Sequence, residues 1–176
     1  MPRRHPALPR LWLLTDERQG DALWSALRRL PRGSGVVIRH YSLQPKARAA
    51  LFRRIRRVRR GLVLAWSGPA AQAEALRADA LYGADPRRGR LPRLYPVHNA
   101  REITAADRAG AALLFLSPVF PTRTHPGAKP LGPLRSAYLA RRTRTPVIAL
   151  GGMTSRSARR LLGVRIAGWA AIDGLS

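Results

Sequence analysis

The chain has 176 residues, enough for one domain with a sizeable core. It has no cysteine, which excludes a disulfide framework or a thiolate metal site, and no apolar run nears the roughly 20 residues of a membrane span. The net charge of +24 points to an anionic partner, either phosphorylated small molecules or nucleic acid.

Only Lys46 and Lys129 are lysine, and an arginine preference of this kind also follows from GC-rich coding. Residues 1–10 read as a basic tail, and the apolar stretch behind it is too brief for a signal peptide. A cytoplasmic protein is expected.

From there strand-like and helix-like segments alternate. Leu11–Thr15 is a short apolar strand, a charged loop follows, and Asp21–Leu30 has helical spacing until Pro31 and Gly33 stop it. Gly35–Arg39 is the second strand, and Pro45–Arg60 a helix with proline well placed in its first turn. Leu62–Trp66, Pro69–Arg77 and Asp79–Tyr82 read as strand, helix and weak strand. Residues 83–92 have too little apolar content for the next helix. Leu94–Val97, Ala100–Ala109, Ala111–Leu116 and Pro133–Arg142 continue the alternation. Pro146–Leu150, a helix Ser155–Leu162 capped by Thr154, and Ala167–Ile172 complete it.

Eight strands separated by helices predict one (β/α)8 TIM-type barrel domain over 1–176, abbreviated, with the fourth helix vestigial and the last absent. A doubly wound open sheet is the alternative. It wants a Gly-rich turn after the first strand, which Thr15-Asp16-Glu17-Arg18 lacks. An uncovered face on the eighth strand would favour a homodimer.

The stretch Gly110–Gly132 carries the clearest chemistry. Its buried strand ends at Ser117-Pro118, and the loop beyond supplies Thr122, Arg123, Thr124, His125 and Lys129. Hydroxyls, cations and pliable backbone past a strand's carboxyl end suit a phosphate. A second basic feature, Arg53–Arg60, looks like a nucleic-acid patch in isolation. Leu51, Phe52, Ile55, Val58 and Leu62 have helical spacing, however, so it reads as an amphipathic helix with a solvated basic face. The four tryptophans read as core, with Trp66 alone placed at a strand end where it could stack on an aromatic substrate.

Leu13-Leu14-Thr15-Asp16, Ser117–Thr124 and Val147–Met153 together resemble the thiamine phosphate synthase family and its thiazole tautomerase relatives. The resemblance implies a transferase that joins a hydroxymethylpyrimidine diphosphate to a thiazole phosphate and releases pyrophosphate. It implies Arg39, Lys129 and His98 as the catalytic set, and Thr122, Thr124, His125, Gly151, Gly152, Asp173 and Gly174 as substrate-binding residues. The family also implies Mg2+, for which Asp16 and Asp85 are weak candidates. Ala65-Trp66-Ser67 stands where the synthases carry an Asn-Asp pair, and Pro118 where the tautomerases carry a histidine. Two further readings follow: a family member that binds a phosphorylated heterocycle without joining it to another, and a basic nucleic-acid-binding protein.

Overall fold

The computed structural model describes residues 8–85, 89–122, 127, 129–173 and 175. Eight parallel strands close into a barrel in chain order: β1 (Leu11–Leu14), β2 (Gly35–Ile38), β3 (Val63–Ser67), β4 (Ala80–Tyr82), β5 (Arg93–Val97), β6 (Leu113–Leu116), β7 (Val147–Ala149) and β8 (Gly168–Ala171). Closure is made by β1 against β8, with Leu11 opposite Trp169 and Trp12 opposite Ala170, which eliminates the open sheet. The surrounding helices are α1 (Ala22–Arg29), α2 (Pro45–Val58), α3 (Ala70–Ala75), α4 (Ala100–Arg108), α5 (Gly132–Ala140) and α6 (Ser155–Arg159). Among the described residues no helix lies between β4 and β5, where the fourth helix was expected to be vestigial, and none is recorded after β8.

Each strand alternates between two buried environments, which is why the runs read as continuously apolar. Trp12, Leu14, Val37, Ala65, Ala80, Tyr82, Leu113, Phe115, Ile148 and Ala170 form one cluster inside the barrel. Alanines at 65, 80 and 170 leave room for three large rings, and Phe115 meets Trp12 and Tyr82 edge-on, with ring centroids 5.4 and 5.3 Å away. Gly35 completes the fit, since a Cβ there would lie 2.1 Å from the Trp12 ring. The intervening residues Leu13, Val36, Ile38, Leu64 and Trp66 pack outward with the apolar side chains of α1 and α2. Leu114, Leu116 and Val147 do the same with Ile103 of α4 and Leu139 of α5.

Several expected strands end one residue early in the structure. Thr15, Arg39, Leu150 and Ile172 lie beyond the paired residues, yet Thr15, Leu150 and Ile172 are buried. The apolar pattern therefore continues into the mouth of the barrel after strand pairing has stopped. The helix expected over 155–162 ends at Arg159, and only Leu161 of the following turn is buried. With Val119, Phe120 and Met153 it covers the outer side of β7 and Trp169 of β8. The helix's expected cap holds: Thr154 accepts from Ser157 N at 3.1 Å.

Candidate active site

The loops at the carboxyl ends of the strands form the face where side chains of different strands converge. On one side the β1 and β2 ends are knitted together. Buried Thr15 Oγ1 accepts from Arg39 N at 3.0 Å and bonds His40 Nδ1 at 2.8 Å. Asp16 caps the short 3-10 turn Glu17–Gln19, whose Gln19 amide donates to Ile172 O at 2.6 Å and so ties β1 to the end of β8.

Arg39 stands at the end of β2, but its charge is engaged. Its Nη2 reaches Asp16 Oδ2 at 2.9 Å and its Nε donates to Thr15 O at 3.1 Å. Asp16 Oδ1 receives Arg18 Nε at 2.7 Å. The Arg18 bond leads the effects that hold the Asp16 carboxyl below the ordinary carboxylate range, against the opposing cost of burial. Burial pushes the His40 imidazole below its usual value, outweighing the pull of Glu17 and Asp16, while Arg48 and Arg39 add to the depression.

Beyond β2 the mouth opens into a cavity of about 350 Å³ lined by Tyr41, Ser67, Tyr82, Gly83 and Asp85 among others. Tyr41 and Ser67 share a hydrogen bond of 2.6 Å, and burial pushes the Tyr82 hydroxyl up, so it stays protonated. Beneath them Arg48 is buried, donating to the carbonyls of Ile38 and Ser67 and stacking 4.2 Å over Trp66. Burial lowers its pKa as well. Trp66 points outward from the barrel against Phe52, with its indole N–H unbonded. The expectation that it could stack on a substrate is corrected: a side chain 1% exposed, under a guanidinium, has no free face.

On the opposite side the loop after β6 is zipped to the turn after β7. Val119 N donates to Leu150 O at 2.9 Å and Phe120 N to Gly151 O at 3.0 Å. Gly151 and Gly152 both have left-handed backbone, with φ of 88° and 62°. A Cβ on Gly152 would sit 2.3 Å from Pro121 O, so glycine is required here by packing alone. Neither amide of this pair has a protein acceptor among the described residues.

Of the remaining expected residues, Thr122 is half-buried, next in the chain to Pro121, whose carbonyl packs on Gly152, and Lys129 is exposed. Asp173 is half-buried and acts electrostatically on Arg18, which offsets the repulsion it would exert on a phosphate. Thr124, His125 and Gly174 lie outside the described residues. His98 is exposed, and its Nδ1 bonds Glu102 at 2.8 Å within the network that caps α4.

The donor set does not fit magnesium. Both oxygens of Asp16 face guanidinium groups. Asp85 Oδ2 accepts from Ala70 N at 2.8 Å, at the start of α3. No three His, Asp or Glu side chains converge among the described residues, and a hard dication needs several oxygen ligands.

Sequence reasoning missed Arg48, Thr15 and the Tyr41–Ser67–Tyr82 hydroxyls. The signal for Arg48 was its spacing: Arg48, Phe52 and Ile55 share the buried stripe of α2.

Against known proteins, residues 95–175 match the model of one family. That family is thiamine monophosphate synthase. The matched region holds β5 to β8 and includes the zipped loop and the glycine turn. A curated relative of Aquifex aeolicus (strain VF5), named "Putative thiamine-phosphate synthase 2", is 35% identical over 60 residues, which is 34% of this chain and 32% of that protein. The matched segment thus spans about a third of this relative's length.

Thiamine phosphate pyrophosphorylase from Pyrococcus furiosus aligns over 94% of this chain and 85% of its own, with TM-score 0.73 and 21% identity. FabK (an M276A mutant) from Thermotoga maritima reaches TM-score 0.75 at 11% identity, over 95% of this chain and 61% of its own. Two differently named proteins superpose equally well, so these likenesses establish the barrel and leave function to the site. Among the described residues, no helix is long and apolar enough to cross a membrane.

Proposed function

We propose that the protein acts in thiamine biosynthesis by holding a thiazole phosphate, or a closely related phosphorylated heterocycle, between the loops that follow β6, β7 and β8. One observation carries this reading. The Gly151–Gly152 turn is locked against Pro118–Pro121 while its two adjacent amides lack protein acceptors among the described residues. Successive backbone N–H groups in a turn make an anion-binding nest when they converge on one side. Thr122, next in the chain to Pro121, brings a hydroxyl suited to a phosphate or ring, and Lys129 adds positive charge.

A second reading is the synthase reaction, in which a pyrimidine diphosphate is joined to that heterocycle with release of pyrophosphate. Arg39 at the mouth favours it. The reaction asks for strong stabilisation of charge on the departing diphosphate, and Arg39 already faces Asp16. Asp16, between two guanidinium groups, and Asp85, bonded to Ala70 N, do not make a magnesium site among the described residues.

Calorimetry and thermal shift with thiazole phosphate and hydroxymethylpyrimidine diphosphate, each with and without Mg2+, separate the two readings. Thiazole phosphate alone should bind and raise the melting temperature. Magnesium-dependent binding of the diphosphate, followed by turnover, would establish the synthase instead. If neither ligand binds, the proposal falls.

A further inference from the structure

The arginines of α2 divide into two groups. Arg48, Arg54, Arg56 and Arg59 have structural work. Arg48 holds strand-end carbonyls, and Arg54 stacks 4.1 Å over Trp24. Arg56 pairs with Asp79 at 3.2 Å, and Arg59 donates to Leu27 O and Leu30 O at 2.9 and 2.5 Å. Arg53 and Arg57, with Arg60 just past the helix end, are exposed and have no carboxylate partner among the described residues.

These three are not spread around the helix. Arg53, Arg56 and Arg57 fall at i, i+3 and i+4 on one face of α2, and Arg60, just past the helix end, continues the same row. The stripe lines a groove of about 410 Å³ whose apolar wall is Phe52, Leu62 and Leu76. Arg32 reaches the same edge, close to Gly61, and the exposed Arg77 lies beside Arg56. Asp79, the one carboxylate paired here among the described residues, is shared with Leu64 N. Cations gathered in this way repel one another, and a partner carrying a row of negative charges removes that repulsion.

We propose that this groove binds the phosphate backbone of duplex nucleic acid without regard to sequence. A guanidinium row matches successive phosphates, and binding releases condensed counterions. Phe52 is 1% exposed, so the groove offers no ring for a base to stack on, and recognition rests on the backbone. The groove lies where β3 begins, at the end of the barrel opposite the candidate active site.

The test is fluorescence anisotropy of a labelled mixed-sequence DNA duplex of about 20 base pairs, titrated between roughly 50 and 200 mM salt. The variant R53Q/R57Q/R60Q is compared with R101Q/R108Q/R135Q, which removes the same charge from exposed positions on α4 and α5. If the three groove arginines each meet a phosphate, the slope of log K against log salt should fall by about 3 in the groove variant. It should change by less than about 1 in the control. R53K/R57K/R60K should recover most of the slope, which a folding defect in the glutamine variant would not predict. Equal losses in the two glutamine variants would overturn the proposal, as would failure of the wild type to bind at roughly 100 mM salt. So would displacement by inorganic triphosphate at equal phosphate concentration, the mark of a small-anion site.

Discussion

Replacing Gly152 by alanine separates two roles a glycine can have at a phosphate site: access for a ligand, or room for the protein's own backbone. At Gly152 the protein needs the room. Its φ of 62° strains an alanine by about 1–2 kcal/mol. The new Cβ would lie 2.3 Å from Pro121 O and 2.8 Å from Phe120 Cβ, and relieving such an overlap costs about 1–3 kcal/mol. Gly163 provides the control, with φ of 80° and nothing within 4 Å of an added Cβ, so Gly163→Ala meets only the strain. Urea unfolding without any ligand should therefore show Gly152→Ala losing about 2–5 kcal/mol and Gly163→Ala about 1–2. At roughly 2–4 °C per kcal/mol for a chain of this size, the Gly152 variant should melt several degrees below wild type. If both variants unfold alike in ligand-free protein and only phosphate affinity separates them, the packing argument is refuted.

Three further outcomes follow from the mouth of the barrel. Burial depresses the His40 pKa in the folded state, so the unfolded chain takes up a proton first as pH falls. Stability contributed by neutral His40 is full above about pH 6.5 and declines below it, and His40→Asn, which tolerates the positive φ, should flatten that slope in melts between about pH 5 and 8. Asp16→Asn removes the anion between Arg18 and Arg39 and should lower stability by about 1–3 kcal/mol in urea titrations. Calorimetry with Mg2+ should stay flat for wild type and variant alike, and a magnesium heat lost in the variant would make Asp16 a ligand after all. Trp66→Phe should leave thiazole phosphate affinity unchanged by calorimetry, because the indole packs outward beneath Arg48; a large loss of affinity would return Trp66 to the site.

The alternation of apolar runs with amphipathic helices was enough to count eight strands and to anticipate that, among the described residues, no helix joins β4 to β5. Strands of a parallel barrel are buried on both faces, and that condition is written in local composition. The loop at Pro118–Pro121 and the turn at Gly151–Gly152 were likewise legible, because prolines and glycines announce backbone that cannot pair regularly. What remained hidden was everything that depends on which side chains meet. Trp66 and Trp12 look alike in sequence, yet strand pleat turns one outward under Arg48 and the other into the barrel beside Gly35. Arg39 and Asp16 were read separately, as a cation and a metal ligand, and the 2.9 Å contact between them leaves each less available for either role. The arginines of α2 read as one basic run, and only their partners divided them. Local patterning settles which backbone a segment adopts, whereas charge and donor availability at a site depend on contacts tens of residues apart, and only the closed barrel brings those together.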